Sequence, residues 1–248
     1  MTIMQTSIAT SDGECPSYLL TPDENGCWPA IIFYMDAGGI RPAMVTMAQR
    51  LADAGYLVLL PDLYYRHGPY DPLILKEVFA GDVEAILGPL IASTSPVKSA
   101  RDTEAFVTAL MGREDVAGAM VGAVGFCMGG GLALASAGAH PEHFAAVASF
   151  HGGNLATVDP GSPHLQVSKL KAEVYIAAAQ NDDSYPPAMA ERLETALTEV
   201  DVTYRAETFP AAHGWMIPDF LSFDPAAAER GWGEMLALFA RRLGKRSL

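Results

Sequence analysis

Basic residues are scarce in this chain of 248 residues. Lys and Arg together number 16, whereas Asp and Glu number 29, so the formal net charge is -13 and the isoelectric point lies near 4.7. Nucleic acids and anionic membranes are recognised through clustered positive charge. The composition argues against both, and we expect neither a nucleic acid nor a membrane as a partner.

Cysteine is also rare, and we expect no targeting signal at the start of the chain. Three cysteines, Cys15, Cys27 and Cys127, cannot all pair within the chain, and no C-x-x-C spacing occurs. Such usage fits a reducing compartment. The first residues lack the basic start and apolar core of a signal peptide. We therefore expect a cytoplasmic protein, in which Cys15 and Cys27 are small apolar fillers near amino-terminal strands.

Nucleotide-binding and metal-binding motifs are missing. Neither G-x-G-x-x-G nor the Walker A pattern occurs, which argues against a nucleotide-dependent enzyme. A His-Pro-Glu-His quartet at residues 140–143 contains possible metal ligands, but its proline spoils the helical face on which an H-E-x-x-H site depends. We expect no metal and no cofactor.

What the chain does contain is a regular alternation of apolar runs and segments with helical spacing. Half of the residues are hydrophobic, which suffices for one large core, and we expect a single domain over residues 1–248. The alternation predicts the α/β class, with a mostly parallel, twisted sheet and helices on both faces. The predicted strands are two short ones within 3–20 that form an antiparallel edge, then 28–35, 56–60, a run ending at 125, 144–150, 172–178 and 202–209. The predicted helices are 42–51, 74–91, 98–112, one directly after residue 127, 188–199 and 225–243.

The stretch VGAVGFCMGGG, residues 121–131, organises the chain. It carries the pattern Gly-x-Cys-x-Gly, in which Gly125 and Gly129 flank Cys127 between an apolar strand and an Ala/Leu-rich helix. This pattern is typical of a nucleophile elbow, whose tight turn needs glycines at both flanks. At a helix N-terminus the thiolate is favoured over the thiol, so Cys127 is predicted to be a nucleophile. Two alternatives are a buried, inert cysteine and a membrane span over the uncharged residues 117–139, against which the glycines argue.

A cysteine nucleophile needs a base and a carboxylate that orients the base. Of six histidines, His213 is the best candidate because it follows the last predicted strand and has small neighbours. His151 is the reserve candidate, and we expect it to be a pocket wall. Asp182 and Asp183 are adjacent, and only one of them can point into the site. Either gives the order nucleophile, acid, histidine that is expected for α/β-hydrolases.

Over roughly residues 28–216, the chain resembles the dienelactone hydrolase family of α/β-hydrolases. The motifs that carry the resemblance are GFCMGG at 125–130, PDLY at 61–64, QND at 180–182 with Pro186 four residues on, and AHG at 212–214. The resemblance implies an α/β-hydrolase fold and a triad of Cys127, Asp182 and His213, where Asp182 is preferred to Asp183 by its spacing to Pro186. It also implies an oxyanion hole formed by the backbone N–H groups of Met128 and Ala37.

Two features depart from the family pattern. Its founding members have a glutamate, understood to hold and release the cysteine proton, where this chain has Asp36, which we expect to reach the thiol only through water. They also clamp a substrate carboxylate with arginines, whereas here residues 215–217 are apolar and 68–90 lack arginine. Arg41 and Arg66 remain as nearby candidates, but each reads equally well as a surface or loop-fixing residue.

These features predict an apolar, aromatic pocket with little positive charge. The side chains expected as its walls are Tyr34, Tyr64, Tyr65, Trp215 and Met216. We expect hydrolysis of a small-molecule ester, lactone or thioester through an acyl-enzyme, with neutral substrates preferred over carboxylated ones. The alternative is a ligand-binding protein that keeps the fold without turnover. A monomer or small homo-oligomer is expected.

Overall fold

The computed structural model describes residues 2–22 and 26–244. Eight strands form one sheet in the order β1-β2-β4-β3-β5-β6-β7-β8. The strands are β1 Thr2–Thr10, β2 Gly13–Thr21, β3 Trp28–Tyr34, β4 Leu57–Pro61, β5 Val116–Phe126, β6 Phe144–Phe150, β7 Glu173–Ala179 and β8 Tyr204–Phe209. The helices are α1 Pro42–Asp53, α2 Leu75–Ala80, α3 Val83–Ser93, α4 Pro96–Met111, α5 Met128–Ala139, α6 Pro187–Glu199 and α7 Pro225–Leu243.

The sheet is mostly parallel, as the sequence predicts. The pairs β1–β2 and β2–β4 are antiparallel, and every other pair is parallel. Strands β3 and β4 are buried at every position. Unbroken apolar runs of this kind are expected where helices cover both faces of a parallel sheet. The predicted antiparallel edge at the amino terminus is also confirmed.

Helices pack on both faces of the sheet. On one face α4 and α5 meet, where the Ser99 and Ser136 hydroxyls lie 3.2 Å apart. On the other face α1 and α7 are joined by Arg50, which binds Glu229 through both carboxylate oxygens and lies over the Trp232 ring. The core therefore has two layers, one on each side of the strands, and it holds the strand ends in fixed positions.

The predicted helix over 74–91 is wrong in one respect, because the chain forms two helices there. α2 ends before Gly81, whose backbone is extended, and α3 starts again after Asp82. The Asp82 carboxylate accepts a hydrogen bond from Ala85 N (3.1 Å), which is the geometry of an N-cap. The predicted loop over 159–171 likewise contains a 3₁₀ helix, Pro163–Lys169.

The carboxyl ends of the parallel strands collect the candidate site residues, as expected for an open α/β sheet. Cys127 follows β5, and its N–H donates to Phe150 O at the end of β6 (3.1 Å). His151 follows β6, and its N–H donates to Ala177 O in β7 (2.7 Å). Within the residues that the structure describes, no helix is both long enough and apolar enough to cross a bilayer.

Candidate active site

Cys127 occupies a sharp turn between β5 and α5. Its backbone has φ 54° and ψ -120°, which places this non-glycine residue in a rarely occupied conformation, and it is the N-cap of α5. A Cβ at Gly125 would overlap the carbonyl of Gly129, and a Cβ at Gly129 would overlap the carbonyl of Tyr34. Both flanking glycines are therefore sterically required, which is the geometry that the sequence pattern predicts for an elbow.

His213 and Asp182 form a hydrogen-bonded pair beside this turn. His213 Nδ1 lies 2.6 Å from Asp182 Oδ2, and the Asp182 side chain is only 4% exposed. Ser184 fixes the other carboxylate oxygen, because its N–H (2.9 Å) and its hydroxyl (2.6 Å) both donate to Asp182 Oδ1. Asp183 is exposed. Of the two adjacent acids, Asp182 is thus the one that orients the imidazole.

The electrostatics of the site favour a charged imidazole. Burial alone would lower the pKa of His213, but its hydrogen bonds to Asp182 and Cys127 outweigh burial and raise the pKa to about 10. Burial would raise the pKa of Asp182, yet the hydrogen bonds from His213 and Ser184 hold it below the usual value. At neutral pH the imidazole of His213 is therefore protonated, between the carboxylate of Asp182 and the sulfur of Cys127.

Cys127 and His213 open into a cavity of about 390 Å³. One side, which we call the sheet wall, follows the strand ends and consists of Ala37, Cys127, Met128, Ser184 and His213. A second group of lining residues, which we call the helical wall, consists of Ile91, Thr94, Ser95 and Pro96 from the end of α3 and the start of α4. Among the described residues that line the cavity, none is Arg, Lys, Asp or Glu.

Two backbone N–H groups at the sheet wall are the candidates for an oxyanion hole. Met128 is the first residue of α5, so its N–H has no acceptor within its own helix. Ala37 lies beyond the end of β3 and lines the same cavity. Tyr64 stands behind both residues, since its hydroxyl donates to Ala37 O (2.9 Å) and contacts Met128 Sδ (3.7 Å). It supports the loop instead of forming a pocket wall as predicted.

The predicted aromatic walls are wrong for Trp215 and Tyr34. Trp215 is fully buried and stacks on Phe209 with ring centroids 4.3 Å apart. The preceding Gly214 has φ +88°, and this turn carries the chain from His213 back into the core. Tyr34 is also fully buried, with its hydroxyl 2.9 Å from Thr103 Oγ1.

Met216 and Tyr65 were also expected as pocket walls, and neither lines the cavity. Met216 is 1% exposed and lies in the core beside Trp215. The Tyr65 hydroxyl is bound away from the cavity, by Asp102 (3.0 Å) and Thr10 (2.7 Å). None of these four side chains lines the cavity, and its described lining contains no Phe, Tyr or Trp.

His151 lies behind His213 and does not line the cavity as predicted. It is fully buried, and its ring meets that of His213 edge to face with centroids 5.2 Å apart. Burial, together with the charge of His213, lowers the pKa of His151 well below its ordinary value. His151 is therefore a neutral ring that backs the catalytic candidate.

Asp36, Arg41 and Arg66 are all engaged in ion pairs. Asp36 is fully buried and binds the Arg41 guanidinium through both carboxylate oxygens, at 2.6 and 2.8 Å. Arg66 binds Asp102 through two nitrogens, at 2.9 and 2.6 Å. Both arginines thus fix loops, and neither lines the cavity. The prediction that Asp36 reaches the thiol finds no support in this geometry.

Sequence reasoning missed the helical wall and Ser184. In the sequence, residues 93–96 only mark the break between two helices. In the structure, Ser95 caps α4 by accepting from Lys98 N (3.2 Å), and Thr94 lines the cavity. A serine two residues after an aspartate is a typical signal for a turn closed by the carboxylate, and it could have distinguished Asp182 from Asp183.

The sheet order, the elbow after β5 and the histidine after β8 define a protein of the α/β-hydrolase fold. A family model described as "Dienelactone hydrolase family" matches residues 15–243. The chain therefore belongs to the dienelactone hydrolase family, whose members are hydrolases that act on small molecules. The family that the motifs predict is confirmed over almost the whole chain.

Relatives and solved structures agree with this assignment. Two relatives carry the description "Putative carboxymethylenebutenolidase". The one from Synechocystis sp. is 27% identical and covers 96% of each chain, and the one from Escherichia coli (strain K12) is 29% identical and covers 98% of this chain and 88% of its own. The crystal structure of a "Putative Dienelactone Hydrolase" from Klebsiella pneumoniae superposes with a TM-score of 0.85 at 25% identity, covering 97% of this chain and 98% of its own.

Proposed function

We propose that the protein hydrolyses a neutral ester, lactone or thioester of a small molecule, with Cys127 as the nucleophile. The observation that carries this proposal is the cavity itself, where Cys127 and His213 meet in a lining without Arg, Lys, Asp or Glu among the described residues. The family supplies the hydrolytic chemistry. The residues that line the cavity determine which substrates this protein can bind.

The first half of the reaction is acylation. The Cys127 thiolate attacks the substrate carbonyl, and the N–H groups of Met128 and Ala37 stabilise the oxyanion that forms. The carbon–oxygen bond to the leaving group then breaks, and the leaving alkoxide takes the proton from His213 Nε2. Asp182 holds the opposite nitrogen, Nδ1, which keeps Nε2 directed toward the reacting atoms.

The second half is deacylation. His213, now neutral, takes a proton from water as that water attacks the thioester carbonyl, and the same two N–H groups receive the second oxyanion. The carbon–sulfur bond breaks, the acid product leaves, and Cys127 returns to the thiolate beside protonated His213. The raised pKa of His213, about 10, keeps the imidazole protonated at neutral pH.

The substrate preference follows from charge. The name carried by the relatives refers to a carboxylated lactone. In this chain Arg41 and Arg66 are bound to carboxylates outside the cavity. An unpaired substrate carboxylate would lose its hydration without gaining an arginine or lysine partner. We expect kcat/KM to be about tenfold or more higher for neutral substrates, which corresponds to about 1.4 kcal/mol of transition-state binding.

The test is a matched series of lactones and esters that differ only by a carboxylate. Neutral members should react faster in the wild type. Ile91→Arg places a guanidinium at the helical wall and should reverse or level that preference, whereas Val97→Arg, on an exposed position of α4 outside the cavity, should not. Carboxylated substrates that react faster in the wild type, with the advantage lost in Arg41→Ala or Arg66→Ala, would contradict the proposal.

The same assay separates a hydrolase from a ligand-binding protein. Iodoacetamide should label Cys127, and His213→Ala should slow both that labelling and turnover. Labelling that His213→Ala leaves unchanged, with no turnover of any ester in the series, would favour a binding protein.

A further inference from the structure

Arg41 is a buried cation held between two carboxylates from different loops. Its side chain and that of Asp36 are both 0% exposed, and the side chain of Asp219 is 37% exposed. The guanidinium donates to Asp36 at 2.6 and 2.8 Å and to Asp219 at 2.7 and 3.0 Å. Two bidentate pairs on one guanidinium fix its plane and, with it, the separation of the two loops.

These two loops carry different parts of the candidate site. Asp36 directly precedes Ala37, which lines the cavity, and Arg41 also donates to Gly39 O (3.2 Å) in the same loop. Asp219 lies in the turn that follows His213. That turn is closed by hydrogen bonds from Ile217 N to Gly214 O (3.0 Å) and from the Ser222 hydroxyl to His213 O.

We propose that Arg41 is a positioning residue that holds the oxyanion loop, residues 36–41, against the histidine loop, residues 213–224. In this arrangement Asp36 is the partner of Arg41 and does not act on the Cys127 thiol. The proposal rests on the proposed function, because it assigns Ala37 N–H and His213 to the same reaction. The ion pairs of Arg41 would then set the distance between Ala37 and His213.

The hydrogen bonds of Asp36 explain why it is fixed. Oδ1 accepts from Arg41 and from Gly38 N (2.8 Å), while Oδ2 accepts from the second guanidinium nitrogen. Turning this carboxylate toward the thiol would break several charge-assisted bonds in a buried place and leave Arg41 half paired. A carboxylate held in this way keeps the loop in shape and is not free to turn toward the thiol.

Other anchors hold the oxyanion loop from its own side. The Tyr64 hydroxyl donates to Ala37 O (2.9 Å), and the Tyr70 hydroxyl accepts from Ile40 N (3.0 Å). Tyr70 in turn donates to Asp62 (3.0 Å). These bonds keep the loop folded, whereas the bond from Arg41 to Asp219 reaches across to the histidine loop. Breaking that bond should therefore misplace the oxyanion loop without unfolding it.

The experiment removes the crossing bond alone. Asp219→Asn should lower kcat for a neutral ester about tenfold, a fraction of the 10²–10³-fold loss expected when an oxyanion donor is removed outright, and it should change KM little. Asp219→Glu keeps a carboxylate and should recover most of the loss. The matched control is Glu229→Gln, which breaks the bidentate pair with Arg50 on the exposed surface and should leave kcat unchanged.

A second readout does not depend on turnover. The rate of Cys127 alkylation by iodoacetamide, followed from pH 5 to 9, should have the same pH profile in wild type, Asp219→Asn and Asp36→Asn. A shifted profile in Asp36→Asn would overturn the proposal by showing that the carboxylate acts on the thiol. Wild-type kcat in Asp219→Asn would overturn it equally.

The two proposals can fail separately. Turnover that survives in Cys127→Ala would reject the proposed function, while the alkylation profiles would still report whether Asp36 acts on the thiol. Loss of turnover in Cys127→Ala, with Asp219→Asn indistinguishable from Glu229→Gln, would reject only the role of Arg41. Thermal unfolding of each variant confirms that it remains folded.

Discussion

The two walls of the cavity are built in different ways. The sheet wall lies on strand ends, where Cys127 is fixed by the elbow and His213 by its 2.6 Å contact with Asp182. The helical wall lies on α3 and the start of α4, where Ile91 is 40% exposed and Thr94 is buried. The sheet wall is fixed by the tight turn at Cys127 and by charged hydrogen bonds. The helical wall is fixed by the cap of α4 and by partial burial.

We expect the two walls to serve different purposes. Under the proposed function, groups that must meet within tenths of an ångström lie on the sheet wall, and groups that only need to fit a substrate lie on the helical wall. Substitutions in the sheet wall should therefore reduce kcat. Substitutions in the helical wall should change KM and the order of preferred substrates.

The largest effect should come from the nucleophile. We expect Cys127→Ala to lower kcat about 10⁴-fold or more, because the covalent route is lost and only binding and the oxyanion site remain. Cys15→Ala and Cys27→Ala are the matched controls and should retain nearly full activity. Burial raises the pKa of Cys15 to about 12, so its thiol is inert at neutral pH. An equal loss in Cys27→Ser, with the protein folded, would contradict the assignment.

The next effect distinguishes two adjacent acids that precede Ser184 of the sheet wall. Asp182→Asn should lower kcat about 10²-fold or more, because it removes the charge that orients His213 and supports its protonated form. Asp183→Asn changes the exposed neighbour by the same chemistry and should have little effect. Steady-state kinetics on one neutral ester suffice. Equal losses in both variants would show that the acid acts only through the shape of the loop.

The sheet wall was largely predictable from the sequence, and the reason is local. Gly125 and Gly129 are required by the turn itself, and His213 follows a strand with small neighbours, so short-range patterns carry the information. The parallel sheet follows from the alternation of apolar runs with helices in the same way. The carboxyl ends of the parallel strands meet at one edge of the sheet. The candidate triad residues follow such strands, so they come together there.

Other features depend on long-range packing and were missed. The expectation was that Trp215 and Tyr34 form pocket walls, but both rings are buried in the core. A sequence does not reveal whether an aromatic ring near a site points into the core or into the cavity. The pairing of Arg41 with Asp219 joins positions 178 residues apart. The position of the helical wall depends on where α3 begins. Asp82 caps that helix, and this cap is a single residue in an otherwise continuous helical pattern.

A moderate effect should appear in the pH dependence of stability. Burial lowers the pKa of His213, but Asp182 and Cys127 raise it to about 10, against about 6.5 for an ordinary histidine. Because the folded state holds this proton more tightly, the stabilisation is fully present below about pH 6.5 and is lost as pH rises toward about 10.

We therefore expect the difference in free energy of unfolding between wild type and His213→Gln to shrink over that interval. Urea unfolding at pH 6, 8 and 10 measures it. His67→Gln, which removes an imidazole from an exposed loop, controls for the substitution itself. A difference that stays constant from pH 6 to 10 would contradict the raised pKa.

The smallest effect should come from the helical wall. Ile91→Ala removes a half-buried apolar surface at the cavity, so we expect KM for longer acyl chains to rise about threefold to tenfold with kcat nearly unchanged. Val97→Ala, at an exposed position outside the cavity, should leave the chain-length profile unchanged. A drop in kcat for Ile91→Ala would show that the helical wall also supports the chemistry.

The most direct test of the central claim is the identification of the covalent intermediate. The wild-type protein is mixed with p-nitrophenyl acetate, quenched with acid after milliseconds to seconds, and analysed by intact mass and peptide mapping. We expect a burst of about one p-nitrophenol per protein and one acetyl group on Cys127, with neither in Cys127→Ala. An acetyl group on another residue, or an unchanged burst in Cys127→Ala, would contradict a cysteine nucleophile at the elbow.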